Sequence, residues 1–205
     1  MLEIKSVRSE LFGPLSLSLR PGQCIAIMGK SGSGKSLFLR AIADLDPNEA
    51  EISLNGRARA EMPAFEWRCM IVLVPADSGW WADSVGEHFG NTAGIKEMFA
   101  SLDLPTDILS WQVARLSTGE RQRLALIRAL ALKPVALMLD EPTAALDRQA
   151  TACVESLIKQ QLANGVSIIL ITHDEHQAAR LADETYLLEN GKLVKITHEH
   201  KEISA

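Results

Sequence analysis

Residues 24–36 read CIAIMGKSGSGKS, and this stretch decides how the rest of the chain is interpreted. The apolar run at 24–28 is typical of a strand that is buried on both faces of a parallel sheet. The residues from Gly29 to Ser36 then match the pattern G-x-x-x-x-G-K-[ST] at every fixed position. Residues 35–44 follow without a helix breaker. The sequence therefore predicts strand, loop and helix in the order that a phosphate-binding loop requires.

The residue types in this loop suit the binding of phosphate. Glycines let backbone N–H groups turn inward around a phosphate, and the positive end of the following helix points at the same group. Lys35 supplies a positive charge for the β- and γ-phosphate oxygens, and the Ser36 hydroxyl can ligate Mg²⁺. The predicted nucleotide-binding residues are Gly29, Lys30, Ser31, Gly32, Ser33, Gly34, Lys35 and Ser36. The motif alone does not distinguish a kinase, a GTPase, a transporter or a helicase.

A second apolar run, at 135–139, ends in the acidic pair Asp140 and Glu141. An open α/β sheet places its ligand chemistry at the carboxyl ends of its strands. We therefore expect Asp140 to hold Mg²⁺, directly or through water, and Glu141 to orient the attacking water or take its proton. An acid in this place could also cap the next helix, but the phosphate-binding loop upstream favours the catalytic interpretation.

The composition is that of an ordinary globular protein. The chain has 205 residues, of which 47% are hydrophobic and 23% charged, and this is enough for one α/β domain. The formal net charge of −5 makes nucleic acid an unexpected partner. No apolar run approaches the ~18–20 residues that span a bilayer. The three cysteines (Cys24, Cys69 and Cys153) have no metal-binding spacing, and we interpret them as reduced core residues of a cytosolic protein.

Periodicity along the chain predicts alternating strands and helices. The expected strands are 2–7, 15–19, 24–28, 52–54, 70–74, 135–139 and 166–171, and the expected helices are 35–44, 119–132, 148–163 and 174–182. The Asn190-Gly191 pair predicts a hairpin near the end of the chain. Residues 77–116 lack a strand signal and are expected to form a mostly helical insertion in an α/β core made of 1–76 and 117–205.

Three further motifs carry a resemblance to a known family. Residues 116–123 (LSTGERQR) resemble the LSGGQ signature of ATP-binding-cassette (ABC) proteins, 143–147 (TAALD) resemble the D-loop of that family, and 171–174 (ITHD) resemble its switch-histidine loop. With the phosphate-binding loop and the acidic strand, they stand in the family's order and cover essentially the whole chain. The sequence is therefore identified as similar to nucleotide-binding subunits of ABC transporters.

The resemblance implies a fold and a mechanism. The fold would be a single P-loop NTPase domain over 1–205, with a RecA-like parallel-sheet core, an N-terminal antiparallel β part and a small helical subdomain. Two cassettes would close around two ATP, with His173 reaching the γ-phosphate within its own chain. The signature of each chain would close on the nucleotide of its partner. The cross-dimer and signature residues implied are Ser117, Gly119, Glu120 and Asp147. From the residues alone, Ser117 and Glu120 form a capping box, and a helix start of this kind is also an anion site.

The resemblance also implies cofactors, partners and a location. The chain would bind ATP and Mg²⁺, pair with a second cassette (as a homodimer or with a related chain) and drive a separate transmembrane permease. It would lie on the cytoplasmic face of the membrane. An alternative is a soluble ATPase of the same fold, for example one acting in cofactor assembly. A P-loop kinase has no identifiable acceptor site in this sequence.

Several positions depart from the family pattern or stay open. Thr118 replaces the first signature glycine, and a β-branched residue restricts the backbone more than glycine does. Ala76 stands where the family has a glutamine that ligates Mg²⁺ or senses the γ-phosphate, and Asp77 is a hypothetical substitute. Phe12 is the one aromatic within reach of the adenine position, and it could equally be a core residue.

Two pairs of residues lie outside these motifs. Trp80 and Trp81 could face a partner or pack inside the insertion. His198 and His200 have a weak metal-ligand spacing, although a solvated terminus is the favoured interpretation.

Overall fold

The computed structural model describes residues 1–90 and 95–196. Its strands are β1 Leu2–Val7, β2 Leu15–Leu19, β3 Cys24–Met28, β4 Glu51–Leu54, β5 Arg57–Ala58, β6 Ile71–Val74, β7 Ala136–Asp140, β8 Ser167–Ile171, β9 Glu184–Glu189 and β10 Lys192–Ile196. Its α-helices are α1 Lys35–Ile42, α2 Ala64–Met70, α3 Lys96–Ser101, α4 Thr118–Leu130, α5 Arg148–Ala163 and α6 Glu175–Leu181. His198 and His200 lie outside the described residues. The prediction that all three cysteines are core residues is wrong for Cys69, which is exposed because α2 turns Trp67 and not Cys69 toward the core.

A six-stranded sheet forms the centre of the fold. Its strand order is β10-β9-β3-β8-β7-β6, with β10 antiparallel to β9 and the other neighbours parallel. Every residue of β7 and β8 is buried, as the continuous apolar runs predict for central parallel strands. Alternate side chains of these strands enter two cores, one on each face of the sheet. The parallel-sheet core is therefore confirmed.

A four-stranded antiparallel sheet, of order β2-β1-β4-β5, packs on one face of this centre. In β2, buried leucines alternate with exposed serines, which is the pattern of a strand with one face on a core. The antiparallel N-terminal part is therefore also confirmed. The predicted hairpin is present as β9–β10, and its turn residues Asn190 and Gly191 have φ values of 49° and 72°. Both central residues of a type I′ turn need such left-handed values.

The stretch 77–116 contains short helical segments rather than long helices. Within its described residues, α3 is accompanied by 3₁₀ turns at Val85–His88, Ile108–Ser110 and Val113–Arg115. Its apolar side chains, including Phe89 and Leu102, belong to the same core as α4 and one face of the central sheet. This packing makes the stretch continuous with the core, and the division at 76 and 117 stays a prediction.

The helix α2 is the main element absent from the sequence prediction. It is only seven residues long and follows Pro63, whose fixed φ suits a residue just before a helix. Its Trp67 is fully buried and donates a hydrogen bond from Nε1 to the Ile42 carbonyl, at 2.9 Å. Across the described ranges, 1–90 and 95–196, none of the helices is both long and apolar enough to cross a bilayer.

Candidate nucleotide-binding site

The loop at 29–34 joins β3 to α1, whose first two residues are Lys35 and Ser36, and the loop's backbone conformation explains its glycines. Gly29, Gly32 and Gly34 have φ values of 145°, 77° and 97°, which non-glycine residues rarely adopt. A Cβ on Gly29 would lie 2.5 Å from the Leu188 carbonyl oxygen, whereas a Cβ on Gly32 would meet nothing within 4 Å. The loop is thus tightly packed at its first residue and open at Gly32, where a ligand can approach the backbone.

The side chain of Lys35 lies inside the loop. Its Nζ donates hydrogen bonds to the carbonyl oxygens of Gly29, at 2.8 Å, and Lys30, at 3.0 Å. Burial lowers the pKa of Lys35, against the opposing effect of the nearby Glu141 and Asp140 carboxylates. These two carboxylates thus stand close enough to the ammonium group to act on it electrostatically, and the three charges share one locality.

The loop has free donors that suit a phosphate. Among the described residues, the Ser33 hydroxyl is buried and has no hydrogen-bond partner. The helix α1 has Gly34 at its N-cap, no side-chain cap and no acidic residue in its first turn. Its first amide groups and its positive end are therefore available to an anion. The predicted binding residues from Gly29 to Ser36 fit a nucleotide phosphate.

Glu141 and His173 meet at the edge of this loop. Their Oε1 and Nε2 atoms are 2.9 Å apart. Glu141 has a φ of 50°, and its N–H donates to the Ile171 carbonyl at 3.0 Å. A cavity of about 210 Å³ joins both residues to the loop. Its lining is Leu11, Ser31, Gly32, Gly34, Lys35, Ser36, Leu37, Glu141 and His173.

The predicted metal ligands are Ser36 and Asp140. Ser36 lies in the first turn of α1 and lines the cavity, and Asp140 is buried at the carboxyl end of β7. No group of three or more His, Cys, Asp or Glu side chains able to hold a metal occurs in the described part of the chain. One hydroxyl and one carboxylate are the sparse protein contribution typical of Mg²⁺ that is held mainly by substrate phosphates and water. The donor set fits Mg²⁺.

The signature residues form the start of α4. The Ser117 hydroxyl accepts a hydrogen bond from the Glu120 N–H at 3.2 Å, and the Ser117 N–H donates to the Glu120 carboxylate at 2.8 Å, as the predicted capping box requires. The Ser117 hydroxyl also donates to this carboxylate, at 2.8 Å. A Cβ on Gly119 would lie 3.1 Å from Leu146 Cδ2, so this glycine allows α4 to pack closely on the loop at 143–147. Thr118 is the first helical residue and has no positive φ. The helix therefore does not need glycine at that position.

The signature and D-loop residues stand apart from the loop cavity. Asp147 caps α5 and accepts a hydrogen bond from the Ala150 N–H at 2.8 Å. Neither Asp147 nor Ser117, Gly119 or Glu120 is among the residues that line the cavity. One chain thus brings the phosphate-binding loop together with Glu141 and His173, but it leaves the signature without a nucleotide site of its own.

The burial of Phe12, Ala76 and Asp77 shows which of these residues can reach the cavity. Phe12 is 6% exposed, packs its ring edge on Phe38 at a centroid distance of 6.0 Å, and belongs to the core. Its exposed neighbour Leu11 lines the cavity instead. Ala76 and Asp77 are both exposed beyond the end of β6, and Asp77 does not line the cavity.

Gln122 is a site residue that the sequence analysis missed. It is 8% exposed, its Nε2 donates to the Glu141 carbonyl at 2.7 Å, and its Oε1 accepts from the Ala145 N–H at 3.4 Å. The available signal was its place on α4: Ala125, Leu126 and Ala129 lie three, four and seven residues later, on the same buried face. A polar residue in an apolar stripe needs a buried partner.

The tryptophan pair divides between core and surface. Trp80 is partly buried against the core, whereas Trp81 is 71% exposed. Both rings pack against the His88 imidazole, with centroid distances of 4.7 and 4.5 Å. The Arg128 guanidinium lies 4.8 and 4.9 Å from the two indole centroids. Burial lowers the pKa of Arg128.

Comparisons with known proteins agree with this geometry. Residues 12–144 match the family model described as ABC transporter. The chain is 36% identical over 181 residues to the aliphatic sulfonates import ATP-binding protein SsuB 1 of Shouchella clausii, covering 87% of this chain and 71% of that protein. It is 32% identical to the lipoprotein-releasing system ATP-binding protein LolD of Hahella chejuensis, covering 91% and 88%. It is 35% identical to the Fe(3+) ions import ATP-binding protein FbpC of Pseudomonas fluorescens, covering 95% of this chain but only 60% of that protein's length.

Solved structures share the fold. The ATP-binding subunit of an ABC transporter superposes with a TM-score of 0.85 at 25% identity, covering 97% of this chain and 90% of that one. A dimeric post-hydrolysis state of an ATP-binding cassette bound to ADP and Pi superposes with a TM-score of 0.77 at 23% identity, covering 96% and 98%.

Proposed function

Because the chain belongs to the ABC transporter family, we propose that it is an ATP-hydrolysing subunit that dimerises around two ATP and drives a separate membrane permease. The observation that carries this proposal is the meeting of the phosphate-binding loop, Glu141 and His173 in one cavity. The signature at the start of α4 lies outside that cavity. A second chain is needed to complete a site of this kind.

The residues of the cavity have separate tasks in hydrolysis. The loop amides and Lys35 bind the β- and γ-phosphates, and Mg²⁺, held with Ser36 and Asp140, would neutralise charge on the same oxygens. Glu141 accepts a proton from water as the water oxygen attacks the γ-phosphorus and the bond to the β–γ bridging oxygen breaks. The electron pair of that bond leaves with ADP. His173, whose Nε2 is 2.9 Å from Glu141 Oε1, is placed to orient the carboxylate and would reach the γ-phosphate of a bound nucleotide.

In the dimer, each signature would bind the nucleotide of the other chain. The start of α4 offers the Gly119 N–H and a helix N-terminus to a phosphate oxygen, and the Ser117 hydroxyl, which donates to Glu120 in the single chain, would turn to the same oxygen in the dimer. Asp147, beside the partner's loop, would complete the contact. The solved dimer of an ATP-binding cassette with ADP and Pi supports this arrangement by its shared fold.

The names of the relatives support a transport role over cofactor assembly. The relatives named above are import proteins for sulfonates and iron and a lipoprotein-releasing protein. We place the permease contact on the surface made by Trp81 and Arg128, where an indole that is 71% exposed lies under a guanidinium group. Such a contact would hold the chain on the cytoplasmic face of the membrane. The exposed aromatic ring and the arginine are both residue types that anchor protein interfaces.

The test is the ATPase activity of the purified chain with Mg²⁺, beside the variants Lys35→Met and Lys159→Met. Lys159 is an exposed lysine on α5, far along the chain from the loop, and serves as the matched control. We expect hydrolysis by the wild type and the control, and a loss of about 100-fold or more for Lys35→Met because the phosphates lose their charge partner. Equal activity of all three proteins would refute the assignment of the site.

A further inference from the structure

The backbone of Glu141 adopts a conformation that is unfavourable for a non-glycine residue. Its φ of 50° is in the left-handed region, where a non-glycine residue is held only if its surroundings fix it. Three hydrogen bonds fix this one. Its N–H donates to the Ile171 carbonyl at 3.0 Å, and its carbonyl accepts from the Ala144 N–H at 3.2 Å and from Gln122 Nε2 at 2.7 Å.

The bond from Gln122 differs from the other two. The partners at Ile171 and Ala144 are both backbone groups, so these two bonds do not depend on the identity of a side chain. Gln122 instead reaches across from α4, 19 residues away in sequence, and its bond is the shortest of the three. The same amide group receives the Ala145 N–H on its oxygen, at 3.4 Å. One buried side chain therefore ties α4 to both Glu141 and the loop that follows it.

Gln122 connects the start of α4 to the residue that carries the proposed catalytic carboxylate. The helix begins at Thr118, so Gln122 lies about one turn from the Ser117 cap. The carboxylate of Glu141, at the other end of the same residue, is the group that meets His173 at 2.9 Å. A shift of the Glu141 backbone of about 1 Å would move the carboxylate out of line with the water that it activates, which is enough to slow catalysis strongly.

We propose that Gln122 is a positioning residue that holds the Glu141 backbone in its left-handed conformation and fixes it to the start of α4. This inference rests on the proposed role of Glu141 in hydrolysis. Gln122 does not line the cavity beside the phosphate-binding loop, and that loop is held by the hydrogen bonds of Lys35 to the Gly29 and Lys30 carbonyls. Loss of Gln122 is therefore expected to change the chemical step and to spare nucleotide binding.

The test compares Gln122→Leu and Gln122→Glu with Gln160→Leu, which makes the same change as the first variant at an exposed position of α5. Leucine removes both hydrogen bonds, and glutamate keeps an acceptor for the Ala145 N–H but loses the donor to the Glu141 carbonyl. For both Gln122 variants we expect kcat to fall about tenfold or more, with the KM for ATP within about twofold of wild type. A Gln122→Glu variant that has wild-type kcat would overturn the proposal, and so would equal losses in kcat and ATP affinity.

A second measurement does not depend on hydrolysis. The side-chain amide protons of Gln122 can be followed by NMR in the wild type and assigned by their disappearance in Gln122→Leu. We expect them to exchange with solvent far more slowly than those of Gln160. Exchange at the same rate would show that the bond to Glu141 is absent, whether or not the chain hydrolyses ATP. If the bond is present but the wild type shows no ATPase activity, it is the proposed function that fails.

Discussion

A comparison of Gly34→Ala with Gly32→Ala distinguishes two reasons for glycine in the phosphate-binding loop: the left-handed backbone and the lack of space for a side chain. Gly34 has a φ of 97° and Gly32 one of 77°, so alanine at either position meets the unfavourable left-handed region, at a cost of about 1–2 kcal/mol. The two positions differ in their surroundings. A Cβ at Gly34 would lie 2.6 and 2.9 Å from two ring carbons of Phe12, whereas one at Gly32 would meet nothing within 4 Å.

The ring of Phe12 cannot move aside easily. It is 6% exposed and packs edge-on against Phe38 at 6.0 Å. Forcing a methyl group into such a core costs about 1–3 kcal/mol, so Gly34→Ala should destabilise the protein by that much more than Gly32→Ala does. For a chain of this size the difference corresponds to roughly 2–12 °C in Tm.

The assay is thermal or urea unfolding of the two variants without nucleotide. A double-mutant cycle between Gly34→Ala and Phe12→Ala adds a check, because removal of the ring should relieve about 1–3 kcal/mol of the cost at Gly34. Equal destabilisation by Gly32→Ala and Gly34→Ala, or additive effects in the cycle, would contradict the position of Phe12 against the loop.

Two further predictions concern charged and ionisable groups. Burial raises the pKa of Tyr186 to about 12, and the hydrogen bond to Glu184 adds to the effect, so ultraviolet titration of this single tyrosine should show no ionisation at its ordinary pKa, and Glu184→Gln should lower the midpoint. Burial by itself would raise the pKa of Glu155, but hydrogen bonds from Arg180 and Gln177 outweigh it and the pKa is lowered. The ionised Glu155 therefore stabilises the fold above its unfolded pKa, and this stabilisation is lost as the pH falls through the lower folded pKa. Arg180→Met should cost about 1–3 kcal/mol at neutral pH and less in acid, as measured by urea unfolding across that range; a cost independent of pH would contradict the ion pair.

Much of the fold could be predicted from hydrophobic periodicity and from turn residues in the sequence. The runs at 24–28, 135–139 and 166–171 became adjacent buried strands, because continuous apolar stretches of that length suit a parallel sheet covered on both faces. The helix α5 spans Arg148–Ala163, the same range that the periodicity predicts, and its caps in the structure are Asp147 and Asn164. The strand order, in which β3 lies between β8 and β9, depends on packing between segments that are distant in sequence. Local sequence patterns therefore could not predict it.

The site was predictable where a motif carries local geometry. Glu141, His173 and most of the phosphate-binding loop line one cavity, and their roles toward a nucleotide stay predictions. Phe12 could not be assigned from sequence, since only the fold shows that its ring fills the space left by Gly34. Gln122 could be recognised from sequence only as a polar residue on the buried face of α4, because its partners are backbone groups that no sequence motif identifies.

The most direct test of the dimer mechanism is sedimentation of the Glu141→Gln variant with Mg²⁺-ATP. Glutamine keeps the shape of the carboxylate but cannot take a proton from water, so the nucleotide should stay bound and hold two chains together. We predict a stable dimer with ATP, a monomer without nucleotide, and little turnover. A variant that binds ATP yet remains a monomer, or that hydrolyses ATP at the wild-type rate, would contradict the mechanism.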